Sequence, residues 1–145
     1  MLAMQDIIDR LKAEVPALGA IEGAIELAAL LDSKPQPHAK PRAHVVPMGL
    51  KGGALQNGTG DFTQDLDVAF TVFLTFSAVA DPRGQKAAVD VHALQTLVLA
   101  ALCGWAPEDA VGVVRLLRAA PIDLRPGVLV YAIEFAVQDQ LRIST

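Results

Sequence analysis

The stretch from Asp61 to Val79, D-F-T-Q-D-L-D-V-A-F-T-V-F-L-T-F-S-A-V, alternates with a period of two and contains neither glycine nor proline. Leu66, Val68, Phe70, Val72, Leu74, Phe76 and Ala78 fall on one side; Asp65, Asp67, Ala69, Thr71, Phe73, Thr75 and Ser77 fall on the other. Successive side chains of a strand point to opposite faces, so this is the pattern of a sheet with one buried and one wetter face. Dense β-branched and aromatic residues support the same assignment. The length constrains the fold most. A globular strand usually runs to about 5–6 residues. This one, at roughly 3.3 Å per residue, reaches about 60 Å, while a compact domain of such a chain spans only about 40 Å. Either the strand bends sharply or one end projects beyond its own core. A projecting amphipathic strand needs a partner, and the natural partner is another copy of the same chain.

The 145 residues suit one domain, 1–145, with a core of its own. Hydrophobic residues make up 52% and charged residues 19%, against usual shares of about 45–50% and about 25%. Surplus apolar surface in a small domain tends to end in a subunit interface. The net charge of −4 points to no particular polyanion. Cys103, the lone cysteine, excludes an internal disulfide framework and a multi-cysteine zinc site. The opening M-L-A-M-Q-D-I-I-D-R places acids too early for a signal peptide. The uncharged, helical-looking run Val91 to Pro107 carries His92, Gln95 and Thr96 and falls short of the ~20 apolar residues of a membrane span. The expectation is a soluble protein made in a reducing cytoplasm, without a membrane partner.

Met4 to Val15 reads as an amphipathic helix, with Met4, Ile7, Ile8, Leu11 and Val15 at helical spacing and Pro16 ending it. Leu18 to Gly23 is expected as a short strand and Ala24 to Leu31 as a helical turn or two. Ser33 to Pro41 (S-K-P-Q-P-H-A-K-P) is a proline-rich loop. Arg42 to Leu50 reads as a strand, with Pro47 marking an edge or a bulge. Lys51 to Gly60, K-G-G-A-L-Q-N-G-T-G, is expected as a mobile glycine-rich loop too long for a tight hairpin. D-P-R-G at Asp81 to Gly84 predicts a turn. Gln85 to Cys103 predicts the main helix, its apolar surface traced by Val89, His92 or Ala93, Thr96, Leu97, Ala100 and Leu102, with Gly104 as its stop. Val111 to Leu117 and Ile122 to Leu124 read as strand pieces. Val128 to Leu141 predicts a last strand, Leu129, Tyr131, Ile133, Phe135 and Val137 sharing a face. Strands grouped rather than alternating with helices favour an α+β fold: a mostly antiparallel sheet with one very long strand and two helices packed on one face.

Little in the sequence carries catalytic chemistry. Lys51-Gly52-Gly53 superficially suggests a phosphate loop, but it leads into a strand rather than a helix and lacks the full motif. Asp61, Asp65 and Asp67 cluster at the start of the long strand; such carboxylates can hold a hard cation, although a solvated strand end is the plainer reading. His38, His44 and His92 have no ligand spacing. His92 is expected at the edge of the core, Cys103 as a buried inert thiol, and Trp105 as a plug at the core's end. With no nucleophile–base pair, no catalytic, cofactor or metal residue is assigned, and the chain is read as a non-enzyme.

Charge is unevenly placed. No acidic residue occurs from Ser33 to Gly60, while Lys34, Lys40, Arg42 and Lys51 are basic, and Asp61 opens the next acidic cluster. A cationic loop region beside an acidic strand start suits a self-complementary contact between neighbours in a head-to-tail ring; keeping a flexible loop solvated is the competing reading. The candidate interface residues are Lys40, Arg42, Lys51, Gly52, Gly53, Asn57, Asp61, Asp65 and Asp67. The basic residues lack the interleaved aromatics of a nucleic-acid surface.

Several stretches in order carry a likeness: L-K-A-E-V-P-A-L, I-E-G-A-I-E-L-A-A-L, A-H-V-V-P-M-G, Q-D-L-D-V-A-F-T-V-F-L, D-P-R-G, L-C-G-W-A-P and G-V-L-V-Y-A-I-E-F-A-V. Across nearly the whole chain this resembles small phage tail terminator proteins of the Mu-like and lambda-like tailed-phage type. The resemblance implies a structural virion protein with no catalytic residues. It implies a homo-oligomeric ring, usually hexameric, that caps the tail tube, ends its polymerisation and offers a head-joining surface. The implied partners are the tail tube protein and a head–tail connector protein, with DNA only as cargo passing the pore and assembly in the host bacterial cytoplasm. The resemblance does not separate an infectious phage from a defective prophage or a gene transfer agent. Two alternatives stand beside this: a connector, tail completion or tube protein, and a small-ligand-binding α+β domain using His92 or Tyr131 in a pocket.

Overall fold

A computed structural model describes residues 2–32, 40–56, 60–77, 85–108, 110–125 and 127–144. The elements in chain order are α1 (Met4–Glu14), β1 (Ile21–Glu22), α2 (Ala24–Asp32), β2 (Arg42–Leu55), β3 (Asp61–Ser77), α3 (Gln85–Leu102), β4 (Val114–Arg125) and β5 (Val128–Ser144). They form an α+β fold around a five-stranded sheet in the order β1-β2-β3-β5-β4. Only the short β1–β2 pair is parallel, and the rest is antiparallel.

The period-two run forms β3, and β5 pairs with it without a register shift from Asp61↔Ser144 to Ser77↔Val128. Alternation then decides the core. Val68, Phe70, Val72, Leu74 and Phe76 of β3 and Ile133, Phe135 and Val137 of β5 are buried together with Ile7 and Leu11 of α1 and Leu94, Val98 and Leu102 of α3. Helices α1 and α3 therefore cover one face of the sheet. The two are also tied directly: Arg10 Nε donates to the Ala101 carbonyl at 3.0 Å, and its guanidinium lies 5.3 Å from the Trp105 ring centroid. Trp105 packs half-buried against the core, as the sequence suggests. Gly104, at φ 82°, ends α3 with its N–H on the Val114 carbonyl; an L side chain would strain that left-handed backbone.

A third helix lies on the other face. α2 is a full element rather than a turn or two, and it packs on β2. Its Leu27 is buried outside the α1–α3 core, and its Glu26 acts electrostatically on His44. Alternation directs His44 away from that core, because its neighbours Ala43 and Val45 belong to it.

Several expectations need correction. The glycine-rich segment is not a loop over most of its length: β2 continues through Lys51, Gly52 and Gly53 to Leu55, paired with β3. Glycines lower strand propensity, but pairing to a strongly β-forming partner overrides that local preference. The buried side of α3 is Leu94, Val98, Ala101 and Leu102, whereas Thr96, Leu97 and Ala100 are exposed; a helix apolar nearly all round has too weak a periodicity to fix its phase. His92 and Cys103 are both exposed rather than at the core's edge or within it. The two strand pieces near the end are one strand, β4, interrupted by bulges. The proline-rich stretch 33–39, the turn 81–84, and Ala78 and Val79 lie outside the described residues.

Candidate functional site

The projection anticipated from strand length lies at the Asp61 end of β3. Its burial there runs from exposed to half-buried, and full burial begins only at Leu66. Beside it run the last part of β2 and the last part of β5, with partners Leu50↔Val68, Lys51↔Asp67, Gly52↔Leu66 and Leu55↔Gln64 on one side. On the other side are Leu66↔Asp139, Gln64↔Leu141 and Phe62↔Ile143. The result is a three-stranded arm extending the sheet past its helical cover.

Directly paired residues share a face, so the arm is amphipathic. Leu50, Leu55, Phe62, Leu141 and Ile143 lie on the face that becomes the core farther down. Lys51, Asp61, Thr63, Asp65, Asp67, Gln140 and Arg142 lie on the opposite face. The apolar face is open to solvent: Leu50 and Leu55 are each 57% exposed and Ile143 is 50% exposed. The polar face is knitted together. Gln56 Nε2 donates to Asp65 Oδ2 at 3.1 Å, Gln140 Nε2 to Asp65 Oδ1 at 3.4 Å, and Arg142 Nε to Gln140 Oε1 at 2.6 Å.

Of the sequence-derived interface residues, the fold brings Lys51, Gly52, Gly53, Asp61, Asp65 and Asp67 together on the arm. Lys40 and Arg42 sit at the far end of β2, where Arg42 pairs with Thr75 and Lys40 Nζ donates to the Pro16 carbonyl. The cationic segment is thus split along a strand rather than gathered in one loop. Asn57 lies outside the described residues. Asp65 and Asp67 both have partners within the chain, Asp67 through Arg115 at 3.5 Å. Glycine at 53 has a local reason: a Cβ would meet the Asp65 carbonyl oxygen at 3.3 Å, whereas at 52 it would meet only the movable end of the Gln64 side chain.

Sequence reasoning missed the residues that make the arm sticky and a second apolar surface at the other side of the sheet. The signal for Leu141 and Ile143 was present, since the period of Leu129 to Val137 carries on to them. The second surface lies on β4, the edge strand, where Leu117 and Ile122 are 52% and 55% exposed. Both are the extra residues at register shifts against β5, one between Leu116 and Arg118 and one between Pro121 and Asp123. A bulge re-aims its extra side chain out of the regular ladder, which is invisible to a period-two reading. Arg118 beside them pairs with Glu134 at 3.0 Å.

The residues of the pocket alternative do not converge. His92 is exposed on α3, and Tyr131 donates its hydroxyl proton to Gln95 on the inner side of the same helix. Cys103 is exposed, but the partial desolvation at the end of α3 raises the pKa of its thiol, which stays protonated at neutral pH. Among the described residues no group of three or more His, Cys, Asp or Glu is placed to hold a metal ion, and no helix is long and apolar enough to cross a membrane.

The family described as phage tail terminator protein matches residues 1–145. No curated protein matches the sequence. A chain in the structure titled "Virion of native gene transfer agent (GTA) particle" has a similar fold, with a TM-score of 0.58 over 95% of this chain and 94% of that one, at 15% sequence identity.

Proposed function

Since the chain belongs to the phage tail terminator protein family along its whole length, and is therefore a structural component of a phage-type tail, we propose that it assembles as a ring that caps the tail tube. In this reading residues 1–145 act as one terminator-like unit. The ring, hexameric as in the resemblance, ends polymerisation of the tube protein and offers its other face to a head–tail connector protein. DNA passes through the pore as cargo, and no substrate is turned over.

The observation that carries the reading is the full-length family match. The arm supplies a physical reason for assembly: a sheet with one apolar face is stable only when that face is covered, and this one is left open by its own helices. Capping then works by shape. One face of the ring reproduces the docking surface of a tube subunit, and the other does not accept a further tube ring.

The gene transfer agent likeness supports the fold and makes a phage-derived particle as reasonable a setting as an infectious phage. A tube or connector protein remains the competing assignment. Co-assembly separates them: tube subunits polymerised with increasing amounts of this chain should give progressively shorter tubes with density at one end. Tubes that lengthen, or that incorporate the chain along their length, would overturn the terminator role.

A further inference from the structure

We propose that Asp65 and Gln64 clamp a bulge in β2 from opposite faces of the sheet, so that the arm is already formed in the free chain before it meets any partner. The clamp is a property of one molecule, and only its bearing on assembly rests on the ring reading above.

The arm has a weak point. Its apolar face is left uncovered, and a segment with few buried apolar contacts opens easily. The β2–β3 ladder also breaks there. Gly52 pairs with Leu66 and Leu55 with Gln64, which sets Gly53 and Ala54 of β2 against Asp65 alone. A bulge of this kind disrupts the backbone ladder and leaves one residue unpaired.

Side-chain hydrogen bonds of the arm gather at that break. On the face that continues the core, Gln64 Nε2 donates to the Gly53 carbonyl at 3.2 Å. On the polar face, Asp65 Oδ2 accepts from Gln56 Nε2 beyond the bulge at 3.1 Å. Its Oδ1 accepts from Gln140 of β5, which lies directly opposite in register. Arg142 Nε donates to the Oε1 of that same Gln140 at 2.6 Å, which leaves the amide nitrogen to face Asp65. One carboxylate therefore ties β2, β3 and β5 together. The bonds run from a cation through an amide to an anion, and such chains polarise along their length.

The neighbouring glycines fit the same clamp. At Gly53 a Cβ would stand 3.3 Å from the Asp65 carbonyl oxygen, so glycine lets the bulge lie close to β3. At Gly52 a Cβ would stand 2.9 Å from Gln64 Nε2, the atom that donates to Gly53. The Gln64 amide can move aside for a side chain at 52, but it then leaves its acceptor. Asp65 is thus a positioning residue, acting through the shape of the arm. A preformed arm meets its partner without first being ordered, which lowers the cost of association.

Hydrogen–deuterium exchange tests the clamp on the full chain, kept dilute and verified as monomer by native mass spectrometry. Segments 50–56, 61–66 and 138–143 are expected to be protected in wild type. Asp65→Asn should speed their exchange about tenfold, the factor that corresponds to one lost hydrogen bond of ordinary strength. Gln56→Glu, which sets a second carboxylate against Asp65, should act likewise. The double variant D65N/Q56E restores a donor–acceptor pair in the reversed sense and should return wild-type protection. Gly52→Ala discriminates by sign: alanine for glycine in a strand ordinarily slows opening, whereas loss of the Gln64 bond speeds it. Exchange of 68–76 and 130–137 should be unchanged throughout. An unprotected arm in wild type, a double variant no better than either single one, or slower exchange in Gly52→Ala each overturns the clamp. Ring formation is read separately at high concentration and on tubes of purified tube protein. Asp65→Asn should need more protein to form rings, and D65N/Q56E should remove that need. Rings that form equally well with a loosened arm overturn its bearing on assembly. A chain with the expected exchange pattern that forms no ring upholds the clamp and removes the ring reading.

Discussion

The amide of Leu2 donates to Oδ2 of Asp139 at 3.1 Å, joining residues 137 positions apart at the line where the covered core gives way to the arm. Asp139 is buried on the core face of β5, opposite Leu66, and its other oxygen accepts from the Gln140 N–H at 2.8 Å. A carboxylate in that position needs both donors, since a buried charge without hydrogen bonds is costly. The substitution Asp139→Ala leaves two N–H groups without acceptors, and should cost about 1–3 kcal/mol. Urea unfolding measures it. An unchanged midpoint would mean that the chain start is not anchored there.

Phe70 and Phe135 stack at the middle of the unbroken β3–β5 ladder, with ring centroids 5.3 Å apart and planes at 20°. Both are fully buried. Removing either ring opens a cavity among α1, α3 and the sheet, so Phe70→Ala and Phe135→Ala should each destabilise by about 3–5 kcal/mol. Because the rings touch, the double variant should cost less than the sum of the two single losses. Strict additivity in denaturant titrations would show that the contact contributes nothing beyond burial.

What could be read from the sequence follows the strength of the periodic signal. The run through Phe70 announced its own buried face residue by residue, because apolar and polar side chains alternate cleanly and neither glycine nor proline intrudes. α1 was legible for the same reason, through Ile7 and Leu11. The phase of α3 was not, since Leu94, Leu97 and Val98 are equally apolar and only tertiary packing selects which of them is buried. Lys51 to Leu55 looks like a loop in sequence because glycine is a local signal, whereas strand pairing is a property of the partner. The same blindness applied to β4, whose bulges at Leu117 and Ile122 produce the exposed apolar edge without leaving a period to find. Of the candidate interface residues, the overlong strand locates those near Asp61, whereas Lys40 and Arg42 are close to them in sequence alone.

Arg115 spans β5 to reach Asp67 at 3.5 Å, with the two side chains 49% and 47% exposed. Water competes for both groups, so Arg115→Ala should change the stability of the isolated chain by less than about 1 kcal/mol. The small difference should shrink further as salt is raised, because exposed charges are screened. Unfolding titrations at low and high ionic strength provide the check. A large loss that persists in high salt would show that Arg115 holds β4 in place rather than decorating it.

His44 supplies the pH dependence. It is 2% exposed on the face of β2 that α2 covers, and its Nδ1 has no hydrogen-bond partner among the described residues. Burial lowers its pKa below the ordinary 6.5; Glu22 and Glu26 pull it upward, and Arg42 adds to the lowering. The folded chain therefore holds the imidazole neutral at a pH where the unfolded chain already protonates it. Wherever the unfolded state binds more protons, stability rises with pH. The contribution of His44 is therefore complete above pH 6.5 and declines as the pH falls from there to the lowered folded value. Carboxylates begin to titrate in the lower part of that window in any protein, so the wild type alone does not isolate the effect. A His44→Leu variant keeps every carboxylate and removes the imidazole. Between about pH 7.5 and about pH 5.5 the wild type should lose stability relative to that variant, as read from urea midpoints at matched ionic strength. If the two curves run parallel, the imidazole is reached by water in the folded state, and α2 does not seal that side of the sheet.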